Sequence, residues 1–300
     1  MTPEGQRDLV GYGSDLPDPR WPGGARLALS LVLNYEEGGE HTPLEGDPES
    51  EAFLHEVIGA PPTVGRRNLT TESMFEYGSR AGFWRVHRIV AAQRLRLTVY
   101  AVGQALERNP AAGRAMVDAG WEVASHGWRW IDYLDVPEEE EREHVRRSVA
   151  AIERVCGRRP VGWYTGRVSE RTRRIVAEEG GFLYDSDSYA DELPYWVEVA
   201  GRPHLVIPYT LDANDFKFLL VNGFVTAGEF AEYLIDTFEQ LRTEGGRMMS
   251  VGLHCRIVGR PGRASALERF LAHVRTRDDI WVTTREEIAR HWHAVHPPGT

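Results

Sequence analysis

The stretch LNYEEG (33–38) closes an apolar run that starts at Leu27 and leaves two adjacent carboxylates, Glu36 and Glu37, where a buried strand runs out. Two neighbouring Glu after a strand also occur in ordinary wet turns, so the pair needs company before it can carry chemistry. Two histidines provide it: His126 in ASHGWRW and His254 in GLHCR, each at the C-terminal end of its own strand-like run. Parallel strands bring such ends to one rim, however far apart they lie along the chain. Two carboxylates and two imidazoles on one rim suit hydrolysis, which needs a base to deprotonate water and an acid to protonate the leaving group. They would also suit a metal such as zinc, whose catalytic sites use about three protein ligands. Four residues after His126, where one helical turn would bring a further ligand to the same face, stands Trp130, which cannot coordinate an ion.

The elements that must position these groups alternate along the chain. Runs rich in Val, Leu and aromatics at 27–35, 97–103, 121–127, 160–166, 181–187, 204–210, 248–254 and 279–284 predict seven or eight strands. Between them lie helical segments with proper ends. PEEEEREHVRRSVAAIERVCG opens on Pro137 and acids that a helix dipole favours, and it stops at Gly157; a later helix starts with Ser169 as N-cap and ends at Gly180. Thr226 with Glu229, and Thr284 with Glu287, fit reciprocal capping boxes. This alternation predicts an α/β fold, a distorted or incomplete (β/α) barrel of seven to eight parallel strands. We expect a single catalytic domain over residues 1–300, with a lead-in at 1–26 and an inserted segment at 40–80. That segment precedes a helix expected over Ala81–Arg94, and its length after a strand end suits a lid or a subunit contact.

Composition excludes several classes. The 300 residues, 42% hydrophobic, can build a large core, and a formal charge of -10 repels phosphate backbones and anionic membranes. No nucleic-acid or membrane partner is expected. Cys156 and Cys255 form no CxxC, and the N-terminus lacks an apolar core of signal-peptide length, which predicts a cytoplasmic protein. Cys255 follows His254 directly, and strand alternation turns it away from any site His254 faces. His291, His293 and His296 read as a surface helix end.

The paired strand-end Glu, His126 with the position four residues on, and the late LH at 253–254 resemble the motif series of the polysaccharide deacetylase (NodB-homology) superfamily. More closely, LVLNYEEGGE, EYGSRAG, SHGWRWIDY, RPVGWYTGR, EEGGFLYDSD, HLVIPYTLD, GLHCRIVGRP and REEIARHWH resemble the deacetylase-like allantoinases of the PuuE type. Departures from the wider superfamily stand out. Both residues of its first motif are Glu here rather than Asp, the second His of H-x-x-x-H is Trp130, and Tyr164 in YTGR stands where its Arg would. The resemblance implies hydrolytic ring opening of allantoin, a neutral cyclic ureide, to allantoate in purine catabolism, without a metal cofactor and in a homotetramer. It further implies Glu36 as base, Glu37 orienting water, His126 or a substrate N–H, His254 as proton donor to the leaving nitrogen, and His126 at the oxyanion. Were a divalent metal present instead, Glu37 and His126 would be its first ligands.

For binding, Trp130 offers a flat face to a planar ring, and Arg167 a fork of donors to carbonyl oxygens. Tyr164, Asp215 in TLDANDF, and Glu72 and Arg80 from the inserted segment complete the candidate substrate contacts, Asp215 as an acceptor for ureido N–H groups. Three rivals share these features: another cyclic-amide hydrolase acting on hydantoins or cyclic imides, a carbohydrate N-deacetylase, and a binding protein that keeps the pocket without turnover.

Overall fold

A computed structural model describes residues 6–299. The strands are β1 (Leu27–Tyr35), β2 (Thr98–Ala101), β3 (Glu122–Ser125), β4 (Gly162–Trp163), β5 (Tyr184–Asp185), β6 (Tyr195–Val199), β7 (Arg202–Val206), β8 (Arg247–His254) and β9 (Ile280–Thr283). They form one sheet in the order β6-β7-β5-β4-β3-β2-β1-β8. Along one edge of β1 runs β8, from Leu27 to Asn34; its other edge is shared, β9 taking Leu27–Ser30 and β2 taking Val32–Tyr35. Every pairing is parallel except β6 with β7. All eight predicted strands are present, and β6 is the addition, joined to β7 by a two-residue turn in which Ala200 and Gly201 both have positive φ.

The sheet curls without closing. Across the gap between β7 and β8 there is no continuous ladder among the described residues; the bridge Asn214–Gly252, the bond from Met248 N–H to Glu192 O (3.1 Å) and that from the Ser250 hydroxyl to Pro208 O (3.5 Å) connect the edges. The result is a half-barrel, a distorted (β/α) barrel of the expected class. The period of two in β1 divides its side chains between two layers. Leu27, Leu29, Leu31, Leu33 and Tyr35 pack outward under the helices, while Ala28 and Val32 face the barrel interior, where Val32 meets Tyr100, Tyr164 and Tyr209. Asn34 and Glu36 continue the inner row. The strand therefore hands its last inward residue to the rim above an aromatic floor.

Around the sheet lie α1 (Leu69–Tyr77), α2 (Phe83–Ala92), α3 (Gly103–Arg108), α4 (Pro110–Asp118), α5 (Glu138–Cys156), α6 (Thr172–Glu179), α7 (Ala227–Glu244), α8 (Pro261–Val274) and α9 (Arg285–Val295). Both capping boxes form. Two helix starts differ from expectation. Arg171 rather than Ser169 is the N-cap of α6, because the Ser169 hydroxyl donates to the buried carboxylate of Glu141 and accepts from Arg171 N–H in the turn before the helix. The helix expected from Ala81 begins at Leu69, where the Asn68 side chain caps it, and runs through a π turn, Gly78–Gly82, into α2. That turn sits so close to β1 and β8 that a Cβ on Gly78 would lie 2.1 Å from Glu37 Oε1, and one on Gly82 1.9 Å from Cys255 O. Glycine at both positions lets the inserted segment seal the rim. Among the described residues, no helix is long and apolar enough to cross a membrane.

Candidate active site

The ends of β1, β3 and β8 bring Glu36, His126 and His254 together beneath this seal. Glu36, 1% exposed, is the hub: its Oε1 lies 3.2 Å from His126 Nε2 and 3.4 Å from His254 Nε2, and its Oε2 accepts from Arg256 Nη1. Burial pushes the Glu36 carboxyl up, but the Arg256 guanidinium, His254 and His126 outweigh it and hold the group well below the usual carboxylate range. Glu36 is therefore ionised.

His254 is held from behind by Asp215. Its Nδ1 is 2.6 Å from Asp215 Oδ1, and its backbone N–H donates to Asp215 Oδ2 at 2.8 Å. Burial disfavours the charged imidazole, yet Glu36 and Asp215 on either side reverse this and push its pKa up to about 9. His254 thus carries a proton on Nε2 at neutral pH, aimed at Glu36. His126 is fixed differently. Its Nδ1 lies 3.2 Å from the carbonyl of Tyr164, which can only accept, so Nδ1 bears hydrogen and Nε2 turns to Glu36.

These groups open on a cavity of about 110 Å³ walled by Phe53, Trp130, Tyr164 and Tyr209. The Trp130 indole stacks on Phe53 with centroids 5.9 Å apart, and the Arg167 guanidinium lies 5.2 Å from the indole centroid while pairing with Glu51 at 3.2 Å. Tyr164 stacks on Tyr100 at 4.7 Å. The loop bearing Tyr164 and Arg167 is anchored by Asp187, whose Oδ1 accepts from the N–H groups of Thr165 (2.9 Å) and Gly166 (2.7 Å). Larger clefts of about 670 and 740 Å³ run beside the N-terminal lead-in, away from Glu36 and both site histidines.

Four candidate residues lie elsewhere. Glu37 turns from the cavity: its Oε2 accepts from Glu36 N–H (3.0 Å), its Oε1 from Arg256 N–H (3.2 Å), and burial, only partly offset by Arg256, pushes its pKa to about 7. Asp215, 0% exposed, cannot meet a substrate N–H, because both of its oxygens are engaged by His254 and by Val258 N–H. Glu72 is spent on Arg67 and Thr42, and Arg80 projects into solvent beside Glu76. Cys255 points away, as alternation requires, its thiol donating to Asn34 O. Two site residues escaped the sequence analysis. Arg256 stands two residues after His254, and the alternation that turned Cys255 away would have brought it back. Asn34 stands two before Glu36; its Nδ2 donates to Leu253 O and Tyr209 Oη at 3.0 Å each, leaving Oδ1 without a partner among the described residues.

The residues do not fit a metal at the positions the resemblance gave. Glu37 faces two backbone N–H groups, and an indole stands at the third position. Among the described residues, no group of three His, Cys, Asp or Glu is arranged to hold an ion.

Comparisons with known proteins agree with this architecture. The polysaccharide deacetylase family profile matches residues 68–182. A candidate polysaccharide deacetylase of Schizosaccharomyces pombe is 42% identical over 314 aligned positions, covering 97% of this chain and 98% of the relative. A solved structure of a candidate polysaccharide deacetylase from Pseudomonas aeruginosa PAO1 superposes with a TM-score of 0.95 at 54% identity, covering 97% of this chain and 99% of the other. The crystal structure of PuuE allantoinase matches with the same TM-score, 0.95, and the same 54% identity, over 97% of this chain and 98% of its own. By its fold, its motif order and these full-length relatives, the chain belongs to the polysaccharide deacetylase family.

Proposed function

We propose that the protein is an allantoinase, opening the hydantoin ring of allantoin to allantoate by acid–base catalysis from its own side chains. The family is hydrolytic, and the full-length likeness to PuuE allantoinase supports this member of it. The observation that carries the reading is the small aromatic-walled cavity on the Glu36–His126–His254 cluster. At about 110 Å³ it lies well below the roughly 300 Å³ at which drug-sized ligand pockets begin. One small planar ring suits it better than a polysaccharide chain.

In this mechanism the ring lies against Trp130. Water between the substrate carbonyl and Glu36 Oε1 attacks as Glu36 takes its proton, and Arg167 lies on the cavity wall to meet the developing oxyanion. His254, already protonated, gives its Nε2 proton to the ring nitrogen as the C–N bond breaks. Arg256 and His254 make Glu36 a weak base at rest. Loss of the His254 proton removes one of these two cations, so the base strengthens as the acid acts. The proton on Glu36 then returns to His254 across their 3.4 Å contact, and the site is reset.

The test is a panel of allantoin, hydantoin, succinimide and an acetylated chito-oligosaccharide, assayed after exhaustive chelation. Allantoate formation without added metal is the expected outcome. Acetate release from the sugar alone, or allantoin turnover lost on chelation and restored by zinc, would overturn the proposal.

A further inference from the structure

Arg256 lies in the turn between β8 and α8, only 3% exposed, and it forms no part of the cavity wall. Its guanidinium lies 4.5 Å from the Phe75 ring centroid and 4.8 Å from that of Trp130, wedged between two elements the sequence separates widely. Its Nη1 donates to Glu36 Oε2, while Nε and Nη2 have no hydrogen-bond partner among the described residues. Glu37 completes the arrangement by accepting from the backbone N–H of both Glu36 (3.0 Å) and Arg256 (3.2 Å). One carboxylate thus clamps the main chain at both ends of the ion pair.

A buried ion pair contributes little that well-packed apolar side chains could not, and idle buried donors oppose stability. The pair's effect is on orientation. With Oε2 tied down, Oε1 is the oxygen left between the imidazoles, 3.2 Å from one and 3.4 Å from the other. We propose that Arg256 is a positioning residue for the reaction: anchored on two aromatic faces and on Glu37, it turns the Glu36 carboxylate so that Oε1 alone meets His126, His254 and the attacking water. The titratable groups gathered around this pair are His126, His254, Glu37 and Glu40. Each of the first three has a separate hydrogen-bond partner to hold it, so the Glu36 side chain is the one whose aim depends on Arg256. Here the activity arm of the test rests on the allantoinase reading; the structural arm does not.

Arg256→Met keeps the length and the aromatic contacts and removes the donors; Arg256→Lys keeps the charge. With allantoin as substrate, Arg256→Met should lose about 100-fold or more in kcat, the scale for losing one preorganised donor, while KM stays within about threefold. Arg256→Lys should recover part of the loss. Millimolar guanidinium should partly restore Arg256→Ala, which leaves a hole of the right shape, and an equal concentration of sodium should not. A crystal structure of Arg256→Met should show Glu36 rotated so that Oε1 no longer reaches both imidazoles. Glu36 unmoved in that structure would overturn the proposal whether or not allantoin is the substrate, as would a Met variant with unchanged kcat, or Lys and Met variants equally impaired. A wild-type enzyme inert on allantoin would sink the functional reading alone and leave the crystal structure to decide.

Discussion

Glu36 and Asp185 are both buried carboxylates that meet an arginine and a histidine, and they differ in how completely they are used. Asp185 accepts from Arg173 Nε (2.8 Å) and Nη2 (3.1 Å), from His204 Nε2 (2.8 Å) and from the N–H of Asp187 (2.9 Å). Glu36 has one firm side-chain partner, Arg256, and shares its other oxygen between two imidazoles at 3.2 and 3.4 Å. The first carboxylate is saturated and sealed from the cavity; the second is slack and opens on it. Residue types alone do not separate a structural ion cluster from a reacting one. Unused hydrogen-bonding capacity beside a cavity does, since catalytic contacts in a ligand-free site are often long and tighten only around substrate.

Exchanging each carboxylate for its amide tests that contrast most severely. Glu36→Gln should lower kcat per folded molecule by about 10²–10⁴-fold, the usual contribution of a positioned acid or base, and also cost stability, because it leaves the Arg256 guanidinium buried beside an uncharged amide. Asp185→Asn should cost about 3–5 kcal/mol of stability, as expected when one partner of a buried pair is removed, but leave turnover per folded molecule within about threefold. Urea titrations and steady-state kinetics on the same preparations would measure both. The reverse pattern would mean that the two clusters have been assigned to the wrong tasks.

The next effect comes from pH. The folded pKa of His254, about 9, lies above its ordinary value of 6.5. Its protonation therefore contributes stability that is fully present below about pH 6.5 and is lost as pH rises through about 9. On the proposed mechanism, kcat/KM should fall on the alkaline side near the same pH. Asp215→Asn removes one of the two anions that sustain the imidazolium, so this limb should move to lower pH. An alkaline limb that ignores Asp215 would locate the acid elsewhere.

Much of this could be read from the chain because it depends on local order. The eight parallel strands announce themselves as short apolar runs, and parallel topology then gathers their C-terminal ends without any contact being known. Glu36, His126 and His254 were found that way. β6 was missed because Pro194 and Pro203 bracket a half-exposed run; the alternation in YWVEV before Ala-Gly was the available hairpin signal. Asp215 was assigned to substrate because sequence shows its acidity and not the chain's return beside β8, where it meets His254 across 39 positions. Glu37 was misplaced for a related reason. The π turn that presses Gly78 against it brings in a segment 41 residues further on, and adjacent residues leaving a strand do not share a face.

A smaller effect is expected at the cavity wall. Trp130 is buried at 5% exposure between Phe53 and Phe75, so part of its role is packing. Aromatic stacking contributes about 0.5–1.5 kcal/mol beyond burial, and Trp130→Phe keeps a ring while reducing its face. KM for allantoin should rise by no more than about tenfold, with kcat nearly constant. A collapse of kcat instead would show that the Trp130 face, rather than that of Phe75, is the one that holds Arg256 in place.

The smallest effect belongs to Arg80, although it lies in a segment pressed against the site. Gly78 and Gly82, four residues apart, occupy the face that meets Glu37 and Cys255. Arg80 falls between them on the opposite side, its side chain 79% exposed and 3.6 Å from Glu76. A solvent-screened pair of this kind contributes about 0–1 kcal/mol. Arg80→Ala should therefore leave kcat/KM within about twofold and the urea midpoint within error. A large loss of activity would mean that this turn rearranges during turnover and brings Arg80 over the cavity, giving the inserted segment a moving part that its packed glycines do not suggest.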